Sequence, residues 1–133
     1  MSVTQKVGTI RELVPLLFVR DIESSMGFYR DPLGFAVAGK WEPEGKLSWC
    51  RLQRDGSAVM LQQADEEDGP AGGRGRGVGF FFICDDAAAI YAELSGRGLK
   101  LASPEVAFYG MKQVFVTDPD GYELCFESPT EPA

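Results

Sequence analysis

The sequence of 133 residues contains no histidine, and this absence removes several kinds of chemistry at once. Without an imidazole there is no Ser-His-Asp or Cys-His pair, no histidine general base and no metal site built on imidazole ligands. Any catalysis would have to use carboxylates, lysine, tyrosine, cysteine or bound water. The missing residue type therefore narrows the candidate chemistry before any motif is considered.

Cysteine is scarce, and its three copies are widely separated. Cys50, Cys84 and Cys125 are odd in number, form no C-x-x-C pair and each stand in an apolar run. This pattern is typical of reduced thiols that pack as small hydrophobic side chains, and it does not suit a disulfide framework. No feature that would activate the thiol of Cys125 is evident near it in the sequence.

Long hydrophobic runs and a basic excess are also missing. No apolar stretch approaches the roughly 20 residues of a membrane span, and Met1 to Gly8 lack the hydrophobic core of a signal peptide. The 13 basic and 20 acidic side chains give a net charge of −7, which argues against nucleic acid as the main partner. We expect a soluble, cytoplasmic protein with no membrane or nucleic-acid partner.

The negative charge is concentrated in the second half of the chain. Residues 1–64 hold eight basic and seven acidic side chains, whereas residues 65–133 hold five basic and thirteen acidic ones. Such a surface either attracts a cationic ligand or simply keeps the protein soluble, and the second role is the more common. The acidic run 65–68 lacks the spacing of a calcium loop and indicates loop charge.

The chain repeats itself at a shift of 64 to 65 residues. Asp21 and the helical pattern after it align with Asp85 at a shift of 64, and the turn Asp55-Gly56 aligns with Asp120-Gly121 at 65. With 44% hydrophobic residues, residues 1–133 can form one domain. We divide it into a first module (11–64), a Gly-rich linker (69–77) and a second module (78–128).

Each module predicts a strand, a helix and three further strands, which is an α+β architecture. Asp21 can cap the first helix, which Pro32 and Gly34 end, and the second helix runs from Asp86 to about Ser95. The predicted strands are Leu13–Arg20, Phe35–Trp41, Lys46–Gln53, Ser57–Gln63, Val78–Cys84, Leu99–Glu105, Lys112–Thr117 and Tyr122–Glu127.

Two motifs carry a resemblance to a known family. The run 14–21 followed by 28–35, and the closing pair Tyr109-Gly110 and 115–122, resemble the vicinal oxygen chelate superfamily of glyoxalase I, extradiol dioxygenases and bleomycin-resistance proteins. The resemblance covers about residues 11–128. It implies two βαβββ modules whose curved mixed sheets form a cup around a ligand.

Metal-dependent members of that superfamily place one His, Gln or Glu on each of four strands. Carried over by position, these places fall on Val14, on Met60 (or Leu61), on Gly79 (or Val78) and on Cys125. None is a hard oxygen or nitrogen donor, so the resemblance implies no metal site and no cofactor. The chain is most similar to the metal-free bleomycin-resistance branch, whose members form homodimers and often exchange N-terminal strands.

Strand alternation from these four positions selects the side chains that would line the cup. The expected ligand-binding residues form an apolar, aromatic wall with a few polar groups: Leu16, Phe18, Trp49, Met60, Gln62, Phe81, Tyr109, Glu123, Cys125 and Glu127. The alternative is that Phe18, Met60 and Phe81 are ordinary core and that the two glutamates are solvated strand ends.

The favoured function is a small-molecule-binding protein that sequesters a cationic or apolar compound, such as an antibiotic, without catalysis. A metal-free lyase or isomerase that uses Glu123, Glu127 or Tyr109 is the first alternative. A metal-dependent lyase or dioxygenase with ligands outside the family positions is the second. An accessory module with a filled cup is the third alternative, and a weaker one.

Overall fold

A computed structural model describes residues 7–69 and 73–130 of the chain. The order strand, helix and three strands occurs twice. The elements are β1 (Leu16–Val19), α1 (Ile22–Arg30), β2 (Ala36–Trp41), β3 (Trp49–Arg54), β4 (Ser57–Gln63), β5 (Gly79–Ile83), α2 (Ala87–Gly96), β6 (Glu105–Val106), β7 (Met111–Thr117) and β8 (Glu123–Pro129). Pro43–Gly45 and Glu66–Asp68 form short 3₁₀ turns.

Within the described residues the strands form two four-stranded mixed sheets, and neither sheet closes into a barrel. The strand order is β1-β4-β3-β2 in the first sheet and β5-β8-β7-β6 in the second. The β1–β4 and β5–β8 pairs are parallel, and the remaining neighbours are antiparallel. The α+β fold class predicted from the sequence is confirmed.

Both helices begin at an aspartate that caps free backbone N–H groups. The carboxylate of Asp21 accepts from the backbone N of Ser24, and that of Asp86 accepts from the backbone N of Ala88 and Ala89. The counterpart of Asp21 is therefore Asp86 and not Asp85, so the expected shift of 64 is wrong at this point. A shift of 65 also relates the Asp55-Gly56 turn to the Asp120-Gly121 turn.

The core lies behind both sheets and is continuous between them. Aromatic rings link its two halves: Tyr29 contacts Phe35, Phe35 contacts Phe82 and Phe82 stacks on Phe126, with centroids 5.9, 5.9 and 4.9 Å apart. Edge-to-face and offset contacts of this kind are the arrangements that aromatic pairs prefer. One face of each sheet is thereby covered, and the opposite face stays open.

Two predicted strands are much longer in the sequence pattern than in the fold. The strand expected from Leu13 begins only at Leu16, because Leu13 is 85% exposed and Pro15 has no N–H to donate. The strand expected over 99–105 is reduced to Glu105–Val106. There the backbone N of Leu99 donates to the carbonyl of Leu94 at the end of α2, and Pro104 cannot donate to a ladder.

The strand predicted from Lys46 and the predicted linker differ less from the structure. The strand predicted from Lys46 begins at Trp49. Residues 73–77 of the predicted linker form turns. Its residues 70–72 lie outside the described part of the chain, and so do residues 1–6, where no signal peptide is expected. No helix in the described ranges has both the length and the apolar character that crossing a bilayer requires.

Candidate functional site

The strand registers place nine of the ten predicted ligand-binding residues on the open faces of the two sheets. On the first sheet Leu16 pairs with Met60, Phe18 pairs with Gln62, and Trp49 opposes Gln62 across β3 and β4. On the second sheet Phe81 pairs with Cys125, with Glu123 and Glu127 two residues to either side. Tyr109 belongs to the loop before β7 and reaches Glu127 from there.

The registers also decide between the alternative positions for family metal ligands. Leu61 is fully buried against the core, whereas Met60 is half-buried on the open face. Gly79, two residues before Phe81, shares the face of Cys125, so Val78 does not. Of the alternatives that the resemblance implies, Met60 and Gly79 are therefore the ones on the open faces, together with Cys125.

These four residues do not fit a divalent cation of the kind that the family holds. They offer one thioether and one thiol, and burial raises the pKa of the Cys125 thiol to about 11, so the thiolate that a metal needs is scarce near neutral pH. Across residues 7–69 and 73–130, no three Cys, Asp or Glu side chains gather as a group able to hold a metal ion.

Around Glu127 the open face of the second sheet has the reverse of an ordinary surface polarity, although two other carboxylates of this face, Glu105 and Glu123, are exposed. Its apolar side chains are exposed: Phe81 is 51%, Ile83 68% and Phe115 46% accessible. Its polar side chains Gln113 and Glu127 are buried, at 8% and 7%. Because solvated sheet faces usually expose their charges and cover their aromatic rings, this face has the character of a binding surface.

A closed ring of three hydrogen bonds holds the buried carboxylate of Glu127. The Tyr109 hydroxyl donates to Oε1 of Glu127 at 3.1 Å, and Nε2 of Gln113 donates to the same oxygen at 2.9 Å and to the Tyr109 hydroxyl at 2.7 Å. The Tyr109 hydroxyl has one proton and Nε2 of Gln113 has two, and each of these protons has one acceptor in the ring. Oε1 of Glu127 therefore accepts from both Tyr109 and Gln113. Glu127 is thus a fixed, buried acceptor and not a solvated strand end, whereas Glu123 is exposed.

Tyr109 shields Glu127 and is itself perturbed by it. Partial desolvation, followed by the hydrogen bond to Glu127 and the charge of that carboxylate, raises the pKa of Tyr109. A phenol with a raised pKa stays protonated at neutral pH, so it donates a hydrogen bond reliably but gives up its proton poorly.

The alternative that the apolar candidates are ordinary core does not describe their surroundings. Phe18 and Met60 are only partly buried and Phe81 is half exposed, and none of them belongs to the buried core cluster. Some of the candidates border concave surface: Trp49 and Gln62 line a groove of about 420 Å³ beside Trp41. Phe81 borders a second groove of about 670 Å³ near the start of α2.

The expected ligand-binding residues do not include three residues of the open face on the second sheet: Gln113, Phe115 and Ile83. The sequence contains the signal for Gln113 and Phe115, because the Asp118-Pro119-Asp120-Gly121 turn fixes the register of the hairpin in which they lie. In that register Phe115 opposes Cys125 and Gln113 opposes Glu127. Ile83 follows from the alternation that starts at Phe81.

The comparisons with known proteins agree with this architecture. The sequence model of the Glyoxalase/Bleomycin resistance protein/Dioxygenase superfamily matches residues 9–126. Since the match spans nearly the whole chain, the protein belongs to this superfamily. Among curated proteins no match is found.

Several solved structures share the fold. TnmS3, an antibiotic binding protein from Streptomyces sp. CB03234, aligns with a TM-score of 0.72 and 22% identity over 93% of this chain and 99% of its own. A glyoxalase/bleomycin resistance protein/dioxygenase from Nocardioides aligns with a TM-score of 0.71 and 18% identity over 96% of this chain and 89% of its own. A bleomycin-binding protein complexed with bleomycin aligns with a TM-score of 0.68 and 22% identity over 90% of this chain and 98% of its own. At these identities the likeness establishes the fold.

Proposed function

We propose that this protein is a metal-free small-molecule-binding protein that captures an apolar or cationic compound, such as an antibiotic, on the open face of its second sheet. The observation that carries the proposal is the reversed polarity of that face, where Phe81, Ile83 and Phe115 are exposed around the buried Glu127. Apolar walls with a few fixed polar groups are the usual composition of small-molecule sites.

Two further observations support a binder over a metal enzyme. The residues at the family's metal positions include no oxygen or nitrogen side chain. In addition, two of the structural relatives, TnmS3 and the protein complexed with bleomycin, are described as binding an antibiotic or bleomycin. Their low identity to this chain makes the ligand itself a matter for experiment.

The test is titration calorimetry of the purified protein with bleomycin, with and without a chelator, together with expression in a bleomycin-sensitive host. We expect saturable binding that is unchanged by the chelator, and protection of the host. The Ile83→Ser variant should weaken binding severalfold, because it removes an exposed apolar contact on the open face. The control is Val106→Ser, since Val106 is also exposed (62%) but lies on the other face of the sheet.

Absence of both bleomycin binding and host protection would remove the antibiotic-binding function. Elemental analysis of the protein gives an independent check on the metal. One equivalent of a transition metal per chain, lost together with ligand binding on chelation, would overturn the metal-free proposal in favour of a metal-dependent lyase or dioxygenase.

The Tyr109–Glu127 pair keeps a metal-free lyase or isomerase as a second candidate. A carboxylate 3.1 Å from a phenol on an open face is a pairing that could move a proton. This candidate requires turnover that survives a chelator and falls at least a hundredfold in both Glu127→Gln and Tyr109→Phe. The raised pKa of Tyr109 makes the phenol a weak acid at neutral pH, which is why the binding function is preferred.

We also propose that the protein is a homodimer in which a second copy covers the N-terminal segment. Val7, Ile10 and Leu13 are 99%, 90% and 85% exposed, and exposed apolar residues in such a run are typical of a covered surface. Light scattering should give twice the chain mass, and Ile10→Ser combined with Leu13→Ser should shift the protein toward the monomer. A wild-type protein that is monomeric at high concentration would disprove the dimer.

A further inference from the structure

The carboxyl group of Glu127 is buried and forms no ion pair within the described residues. It is 7% exposed, and no lysine or arginine nitrogen of the described residues forms an ion pair with it. Its two donors, Tyr109 and Gln113, are neutral. Because a buried ionised carboxylate is costly unless it is paired, this arrangement is incomplete without a cation.

The hydrogen bonds leave one oxygen of this carboxylate available. Both donors bind Oε1, and Oε2 accepts nothing from the described residues. In the described residues three side-chain atoms are fully buried without a hydrogen bond: Nε and Nη1 of Arg74 and Oε2 of Glu93. Oε2 of Glu127 is not one of them, so it is not fully buried. The free oxygen of Glu127 is therefore within reach of a molecule lying on the open face.

Apart from its donor Gln113, which opposes it on β7, Glu127 lies among apolar side chains on that face. Ile83 pairs with it directly across β5 and β8, and Phe115 lies two residue pairs further along the β7–β8 ladder, on the same face. A group bound at Oε2 would thus be attached to a body in contact with exposed aliphatic and aromatic surface. Two other carboxylates share this face. Glu105 pairs with Gln113 and is two strands, about 10 Å, from Glu127. Glu123 lies four residues away on β8, which is about 13 Å along an extended strand.

We propose that Oε2 of Glu127 is the anchor for a protonated amine or guanidinium of the ligand, whose apolar body lies against Ile83 and Phe115. Tyr109 and Gln113 hold the carboxylate in place from its other side. The inference rests on the proposed binding function and adds the requirement that the ligand carry a positive charge next to an apolar group. A charge-assisted hydrogen bond in a desolvated site provides that selectivity.

Two probes of nearly the same shape test this requirement: 1-naphthylmethylamine, which is cationic at pH 7, and neutral 1-naphthalenemethanol. Calorimetry or tryptophan fluorescence with the full chain should show the amine binding roughly 10- to 100-fold more tightly than the alcohol. In Glu127→Gln this preference should disappear while the alcohol keeps its affinity, which shows that the variant is folded. Glu123→Gln is the matched control on the same strand and face, and it should keep the preference within about threefold.

Equal affinity of the wild-type protein for amine and alcohol would overturn the inference, and so would a preference that survives in Glu127→Gln. Either result, combined with bleomycin binding, would leave the proposed function standing without its charged anchor. If bleomycin, the amine and the alcohol all fail to bind, the proposed function and the inference are both wrong.

Discussion

The hydroxyl of Tyr29 in α1 donates a 2.8 Å hydrogen bond to Oδ2 of Asp118, which lies 89 residues later in the turn between β7 and β8. Both side chains are buried, and Oδ1 of Asp118 accepts from the backbone N of Asp120 and of Tyr122. On the other side of the molecule Arg54 makes a 2.7 Å ion pair with Glu93 of α2. A helix from each half of the chain is thus bonded to a β-hairpin of the other half, α1 to β7–β8 and α2 to β3–β4.

The first prediction concerns the loss of the Tyr29 hydroxyl. Tyr29→Phe should lower the free energy of unfolding by about 1–3 kcal/mol, because Oδ2 of the buried Asp118 loses its donor. Urea denaturation followed by circular dichroism measures the change. Tyr91→Phe is the control, since the Tyr91 hydroxyl has no hydrogen-bond partner among the described residues, and it should change stability by less than about 0.5 kcal/mol. Equal effects of the two substitutions would contradict the prediction.

The second prediction is that the cost of Tyr29→Phe depends on pH. Burial raises the pKa of Asp118, so its contribution to stability is present at acid pH and is lost as pH rises through that raised value. The bond from Tyr29 opposes this shift by favouring the ionised form, and its removal makes the ionised form still more costly. The difference between wild type and variant should therefore be small near pH 3 and larger at pH 7. A difference that is constant over this range would refute the linkage.

The third prediction separates two reasons for glycine in the segment 73–77. Gly75 has φ +76°, and a Cβ added to it would lie 2.5 Å from the ring of Tyr122, whose hydroxyl is held by the carbonyl of Phe18. Gly73 has φ +89° but open space around it. Gly73→Ala should cost about 1 kcal/mol for the backbone alone, and Gly75→Ala about 1–3 kcal/mol more. Thermal denaturation of the two variants gives the comparison, and similar melting temperatures would count against the close contact.

The fourth prediction ranks the three thiols by reactivity. Burial raises the pKa of Cys50 and of Cys125 to about 11, whereas Cys84 is only partly buried and its pKa is raised without a large shift. Iodoacetamide at pH 8, with peptide mass spectrometry, should modify Cys84 roughly tenfold faster than the other two. Because the raised values belong to the folded state, the thiols should also contribute a loss of stability as pH rises toward 11. Preferential labelling of Cys125 would contradict this order.

The sequence by itself determined the fold class and most of the elements. The capping residue Asp21, the Asp55-Gly56 turn and the Asp118–Gly121 turn act locally, and local backbone preferences can be predicted from residue type. The alternation of side chains likewise assigned Leu16, Met60, Phe81 and Cys125 to the open faces before any register was known.

The extent of the strands was beyond local reasoning. The pattern from Leu99 to Glu105 resembles a strand, but Pro104 and the hydrogen bond from Leu99 to the end of α2 leave only Glu105–Val106 to pair with β7. Whether an apolar segment finds a neighbouring strand depends on the surrounding chain, which no short window contains.

The character of the site was decided only by the tertiary structure. From the sequence Glu123 and Glu127 are two similar glutamates on one face of one strand. The fold brings Tyr109 and Gln113, 18 and 14 residues earlier, against Glu127 and leaves Glu123 in solvent. Burial and hydrogen bonding are properties of what surrounds a side chain, so the same residue type becomes a buried, fixed acceptor at one position and a solvated group at the other.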